Sequence, residues 1–161
     1  MSMSSAASDV YEIQYLFDNK EFYAPLMIKR LQEGGALVKV SGVGLHAAEG
    51  YSYSPGMLIV PAMGQKISSD SIYTLISKNA AETGITVRAV STGQMKDYDL
   101  GHFYNQPIRE PKVAVLVGGR SRSNVAGSLW YLMDYRFQMQ PTLLDDADFE
   151  RADLARYNVL I

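Results

Sequence analysis

The sequence predicts an α/β fold, a three-layer αβα sandwich built on a mainly parallel sheet. Three observations carry this. First, Lys112–Asp134 reads KVAVLVGGRSRSNVAGSLWYLMD: an apolar run ends at Gly118-Gly119, a polar loop follows, and apolar residues return at helical spacing as Val125, Leu129, Leu132 and Met133. A short all-apolar run followed by a glycine turn and a helix start is the first half of a βαβ unit. Second, strand-like and helix-like segments alternate along the chain, which favours a parallel sheet covered on both faces. Third, 47% of the 161 residues are hydrophobic and 20% are charged, enough apolar material for one domain with a real core.

The elements follow in order. Val10–Phe17 predicts a first strand, and Glu21–Glu33 a helix with Met27, Ile28 and Leu31 on one face. Pro25 is tolerated only in a first turn, so that helix starts near Tyr23 or Ala24 and stops at Gly34-Gly35. Leu37–Val40 is a second strand, Ser41–Pro55 a loop, and Met57–Val60 a third strand. Ser68 or Ser69 caps a helix running to Thr83, and Gly84 ends it. Ile85–Val90 is a fourth strand, and Ser91–Glu110 is irregular. Lys112–Val117 is a fifth strand and Ser123–Arg136 a helix. Pro141–Leu144 is a short strand, Asp148–Leu154 a short helix, and Tyr157–Ile161 a last strand.

Three segments follow from this reading. Residues 1–9 are a Ser/Ala-rich disordered tail without the charged start and apolar core of a signal peptide. Residues 10–110 form a first α/β unit and residues 111–161 a second, joined at Arg109-Glu110-Pro111 and packing as one domain or two. The second unit restarts the strand–helix order of the first, as a duplication or as ordinary doubly wound topology would. The chain stops inside an apolar strand, so it is expected to be a piece of a longer protein.

Bulk properties exclude several classes. The net charge of -2, with no basic block, does not predict nucleic-acid binding. No apolar run reaches the roughly 20 residues that span a bilayer. The absence of cysteine excludes disulfides, thiolate metal sites and a cysteine nucleophile, and fits either a reducing or an oxidising compartment.

Strand ends are where α/β proteins bind ligands. The Gly118, Gly119, Arg120, Ser121, Ser123, Asn124 loop offers small residues and a helix N-terminus to an anion, with Arg120 and Arg122 adding charge. The alternative is a tight turn with Ser123 as helix cap, since neither a dinucleotide fingerprint nor a phosphate-loop lysine is present. Ser91 or Thr92, at the end of the fourth strand, would serve as nucleophile with His102 as base, or simply leave the strand as a turn. His46-Ala47-Ala48-Glu49 with His102 has a zinc-ligand spacing, set against a flexible loop rich in Gly and Tyr. Tyr51, Tyr53, Tyr98, Phe103 and Tyr104 line a groove or cover a sheet edge. Trp130 is expected in a core or interface, and Asp97-Tyr98-Asp99 and Asp145-Asp146 read as solvated turns.

Several stretches together resemble the C-terminal region of bacterial zinc carboxypeptidase-related proteins. They are Ser54-Pro55-Gly56-Met57-Leu58-Ile59-Val60-Pro61, Asp99-Leu100-Gly101, Pro111–Val115, Ala126-Gly127-Ser128-Leu129-Trp130 with Leu132-Met133-Asp134, and Asp153–Ile161. The resemblance covers most of Tyr15–Ile161. It implies a flavodoxin-like or class I glutamine-amidotransferase-like accessory domain without catalytic residues of its own. Zinc would be held only by a separate upstream peptidase domain, the intramolecular partner of this one, in a periplasmic or secreted parent. Glutaminase chemistry is not expected, because a true amidotransferase needs a cysteine.

The alternatives are a stand-alone hydrolase using Ser91 or Thr92 with His102, or a metal at His46, Glu49 and His102. An interaction module whose Tyr157–Ile161 edge pairs with another copy is a third reading.

Overall fold

The computed structural model describes residues 13–46, 50–91, 96, 100, 102–119 and 122–161. The Met1–Asp9 tail lies outside them. The chain forms two compact units, Met1–Ile108 and Arg109–Ile161.

The first unit holds β1 (Ile13–Phe17), α1 (Ala24–Glu33), β2 (Lys39–Ser41), β3 (Leu45–His46), β4 (Ser52–Tyr53), β5 (Leu58–Pro61), α2 (Ser69–Thr83), β6 (Arg88–Ser91) and β7 (Asn105–Pro107). Five of the strands make a sheet in the order β6-β1-β5-β2-β7, and every neighbouring pair is antiparallel. Tyr15 pairs with Val60 on one side and Ala89 on the other. The α/β class holds, but this larger sheet is antiparallel where the strand–helix alternation predicts a parallel one. The reason is insertion. Helix α1 carries the chain from β1 to β2 in the same direction, and β5 slots between them; α2 does the same from β5 to β6, around β1. This is the split βαβ arrangement.

Both helices start and stop where local chemistry dictates. Pro25 occupies the first turn of α1, and Gly35 takes φ 85° just beyond its end. Ser68 caps α2, its Oγ accepting from Ser71 N at 3.2 Å, and Gly84 closes it at φ 75°. Met27 and Leu31 of α1 and Ile72 and Ile76 of α2 bury against Phe17, Val38, Leu58 and Val60 on one sheet face. Arg30 of α1 reaches Glu82 of α2, Nη1 to Oε2 at 2.7 Å. The opposite face carries Leu16 and Ile59 beneath Leu45, Met57 and Leu100. Two short strands, β3 and β4, pair as a hairpin inside the predicted Ser41–Pro55 loop. Strand β7, within the predicted irregular segment, extends the sheet edge.

The second unit holds β8 (Val113–Val117), α3 (Ser123–Trp130), a π-helical continuation over Tyr131–Arg136, β9 (Thr142–Asp145), 3₁₀ turns at Phe149–Arg151 and Leu154–Arg156, and β10 (Val159–Leu160). Its strands are parallel, in the order β10-β8-β9. Val113 and Val115 of β8 bury with Met133, flanked by Val117, Leu129 and Met139, so α3 and its continuation cover one face. The Asn158 side chain ties β10 to the start of β8, accepting from Lys112 N at 2.8 Å and donating to Glu110 O at 2.9 Å. The predicted Asp148–Leu154 helix is instead the two 3₁₀ turns. The break falls at Ala152, whose extended backbone (φ -73°, ψ 139°) separates the two turns. The predicted Ser123–Arg136 α-helix widens to a π-helix at Tyr131, where Tyr131 and Tyr135 stack with centroids 4.9 Å apart. Among the described residues no helix is long and apolar enough to cross a membrane.

Candidate functional site

Strand β8 is the central strand of the parallel sheet, so its carboxyl end is where the chain must leave between two neighbours. It does so through Gly118 at φ 118°, a conformation that favours glycine. A Cβ on Gly118 would sit 2.5 Å from Asp146 Oδ1 and 3.1 Å from Asp145 Oδ1. The register places Val117 opposite Asp145, and Asp146 N donates to Val117 O at 2.8 Å. The two carboxylates therefore close around the glycine at the strand ends. Asp145 is exposed at the end of β9 and Asp146 begins the turn after it, as the sequence suggests, and the pair lies against the strand end that the glycine loop leaves.

Beside this turn, a groove of about 400 Å³ opens between α3 and the β8–β9 strand ends. Its floor is Val117 and Leu143, and its helix wall is Ser123, Ala126, Gly127 and Trp130. These helix positions fall at i, i+3, i+4 and i+7, one face of the helix. The first three side chains are small, which is what leaves the space. Trp130 is 43% exposed and Leu143 51% exposed. Trp130 is thus a groove wall and not a core residue, the first of the two places, core or interface, expected of it. Gly127 has no heavy atom within 4 Å of where its Cβ would be. A mid-helix glycine costs roughly 0.5–1 kcal/mol relative to alanine. No positive φ and no close backbone approach requires it here.

The predicted ligand loop divides as follows. Gly118 lines the groove, and Gly119 has open space at its Cβ position. Arg120 and Ser121 lie outside the described residues. Ser123 is not the helix cap: Arg122 holds that position without a side-chain bond, and Ser123 begins the helix. Asn124 Oδ1 turns back to accept from Val125 N at 3.0 Å.

Ser91 does not join this group. It ends β6, an antiparallel edge strand of the first unit paired with Ile13, while Thr92 lies outside the described residues. His102 lies in a turn against Phe103 and Tyr104, with ring centroids 4.3 and 4.8 Å away, and its Nδ1 accepts from Tyr104 N at 3.5 Å. His46 sits on β3 with Nδ1 3.3 Å from Ser52 Oγ. Glu49, the second member of the zinc-like spacing, lies outside the described residues, as do Asp97, Tyr98 and Asp99. Among the described residues no group of three or more His, Cys, Asp or Glu side chains is placed to hold a metal ion. Of the aromatic set, Tyr53 belongs to β4, and Tyr51 lies under the Arg88 guanidinium at 4.3 Å.

Sequence reasoning passes over Ala126, Gly127 and Leu143 as site residues. The signal for Ala126 and Gly127 is the small-residue spacing on α3 that starts at Ser123 and reaches an aromatic, Trp130, seven residues on; Leu143, on β9, has no such signal.

No protein-family model matches the chain, and no curated protein matches it. Among solved structures it is similar to a formyltetrahydrofolate deformylase from Pseudomonas putida KT2440, with a TM-score of 0.28 and 8% identity over 92% of this chain. The chain spans 47% of that protein. A likeness at this level assigns neither fold nor function.

Proposed function

We propose that this chain is a non-catalytic accessory α/β module of a zinc-carboxypeptidase-like protein, and that it binds a small ligand or peptide at the β8–β9 strand ends. The groove over Gly127 is the observation that carries the binding reading. It lies at the carboxyl ends of parallel strands, is walled by apolar side chains, and has Ser123 as its polar lining residue, the usual character of a ligand site. The membership reading rests on the motifs quoted from Ser54 to Ile161. The strand order β9-β8-β10, numbered 2-1-3 within the second unit, supports its flavodoxin-like part, because doubly wound sheets of that class start in this order. Zinc and peptide hydrolysis then belong to the upstream domain of the parent, with this module supporting or positioning it.

The test assays this chain beside the longest reading frame that contains it, for bound zinc and for carboxypeptidase activity. Zinc and activity in the longer protein alone are expected. Stoichiometric zinc or hydrolysis by this chain alone would overturn the reading and favour a stand-alone hydrolase using Ser91 or Thr92 with His102, or a metal at His46, Glu49 and His102.

A further inference from the structure

We infer that the groove takes a small molecule built on a planar aromatic ring, and that Gly127 and Trp130 select it by shape. This rests on the reading of the groove as a binding site and adds what that site selects.

Among the described residues the lining has one polar side chain, Ser123, and is otherwise apolar or glycine. It carries no charged group, so shape and apolar contact are left to choose the occupant. The volume of about 400 Å³ is that of a small-molecule site. On the helix side the groove is shallow-walled, because Ser123, Ala126 and Gly127 present only small side chains to it. Gly127 leaves the helix barest, with no heavy atom within 4 Å of its Cβ position. A ring laid flat there reaches the helix backbone, an approach that a side chain would block. The position carries a cost, since alanine is the better helix former, and neither a positive φ nor a crowded neighbour requires glycine. Room on the groove face is what this glycine supplies.

Trp130 supplies the matching surface. It lies three residues beyond Gly127, so the indole stands beside the bare position on the same side of the helix. At 43% exposure it keeps area free for contact, and Leu143 of β9 closes the floor beneath. Aromatic rings meet offset or edge to face, with a gain beyond the area they bury. A puckered saturated ring on the same skeleton is thicker, sits further from the bare backbone, and lacks the quadrupole that an indole pairs with. The groove therefore favours the planar ring, although the saturated one is the more apolar.

The experiment titrates the full chain with 2-phenylethanol and 2-cyclohexylethanol, which share a skeleton and a hydroxyl, following the amide resonances of residues 118 and 127. The phenyl compound is expected to bind at least about threefold tighter. Trp130→Leu keeps an apolar wall and removes the ring, so binding should persist and the preference vanish. Gly127→Ala should weaken 2-phenylethanol by at least about fivefold, the effect of one methyl group in a close-fitting pocket. That variant is expected to be the more stable one, so its loss of binding cannot come from unfolding. Three results would each overturn this inference and leave the groove as a binding site: equal or tighter binding of the cyclohexyl compound, a phenyl preference that survives Trp130→Leu, or unchanged affinity in Gly127→Ala. No saturable shift at either glycine with both compounds would overturn the inference and the binding reading together.

Discussion

Replacing Gly118 with alanine should destabilise the second unit by about 2–4 kcal/mol. Two costs combine. Holding a residue with a side chain at φ 118° costs of order 1–3 kcal/mol. The added methyl would also lie 2.5 Å from Asp146 Oδ1 and 3.0 Å from Asp146 Cγ, so the Asp146 side chain must shift. Asp146 N holds Val117 O in the β8–β9 connection, so the movement is transmitted to the strand ends. A unit of this length has a total stability of roughly 3–8 kcal/mol, and the loss would be a large fraction of it. The assay is urea unfolding followed by fluorescence of the sole tryptophan, Trp130, which lies in this unit. The midpoint should fall with an unchanged slope. Gly127→Ala is the matched control: a helical position with open space should gain about 0.5–1 kcal/mol. A Gly118→Ala loss below about 0.5 kcal/mol would refute the claim that the strand end requires glycine and the carboxylate pair closed around it.

The remaining predictions concern the first unit. Met27→Ala, at a fully buried position between α1 and the sheet, should cost about 2–5 kcal/mol by helical circular dichroism in denaturant. Ser68→Ala removes the cap of α2 and should cost about 1 kcal/mol in the same measurement. Burial of Tyr15, followed by the nearby Tyr73, holds its phenol above the usual tyrosine range. The unfolded chain releases this proton first, so stability is flat below about pH 10 and falls as pH rises through the folded value. Unfolding measured from pH 8 to 11.5 should show that fall in the wild type and less of it in Tyr15→Phe.

The helices were largely legible because their ends are written in local chemistry: Pro25, the Gly34-Gly35 pair, Ser68 and Gly84 act on their own neighbours. Strand direction was not, because it depends on which distant segment fills the gap. Leu58-Ile59-Val60 is apolar without alternation, the usual mark of a parallel strand covered on both faces. It is indeed covered on both, by the helices over Leu58 and Val60 and by Leu45, Met57 and Leu100 beside Ile59. Its neighbours are nonetheless antiparallel. In the second unit Val113–Val117 and Gly118 were read correctly as a strand end in a parallel sheet. The groove is not legible in the sequence because its floor residue Leu143 comes from β9, and only the register brings it beside Val117, Gly118 and Gly127.

The measurement that bears most directly on the binding claim is a fragment screen of this chain by amide and indole NMR, run in parallel on wild type and Gly127→Leu. The account predicts saturable shifts at Gly118, Gly127 and Trp130 in the wild type with at least one apolar or aromatic fragment, and their loss in the variant. An absence of shifts at these three residues, or identical shifts in Gly127→Leu, would contradict it.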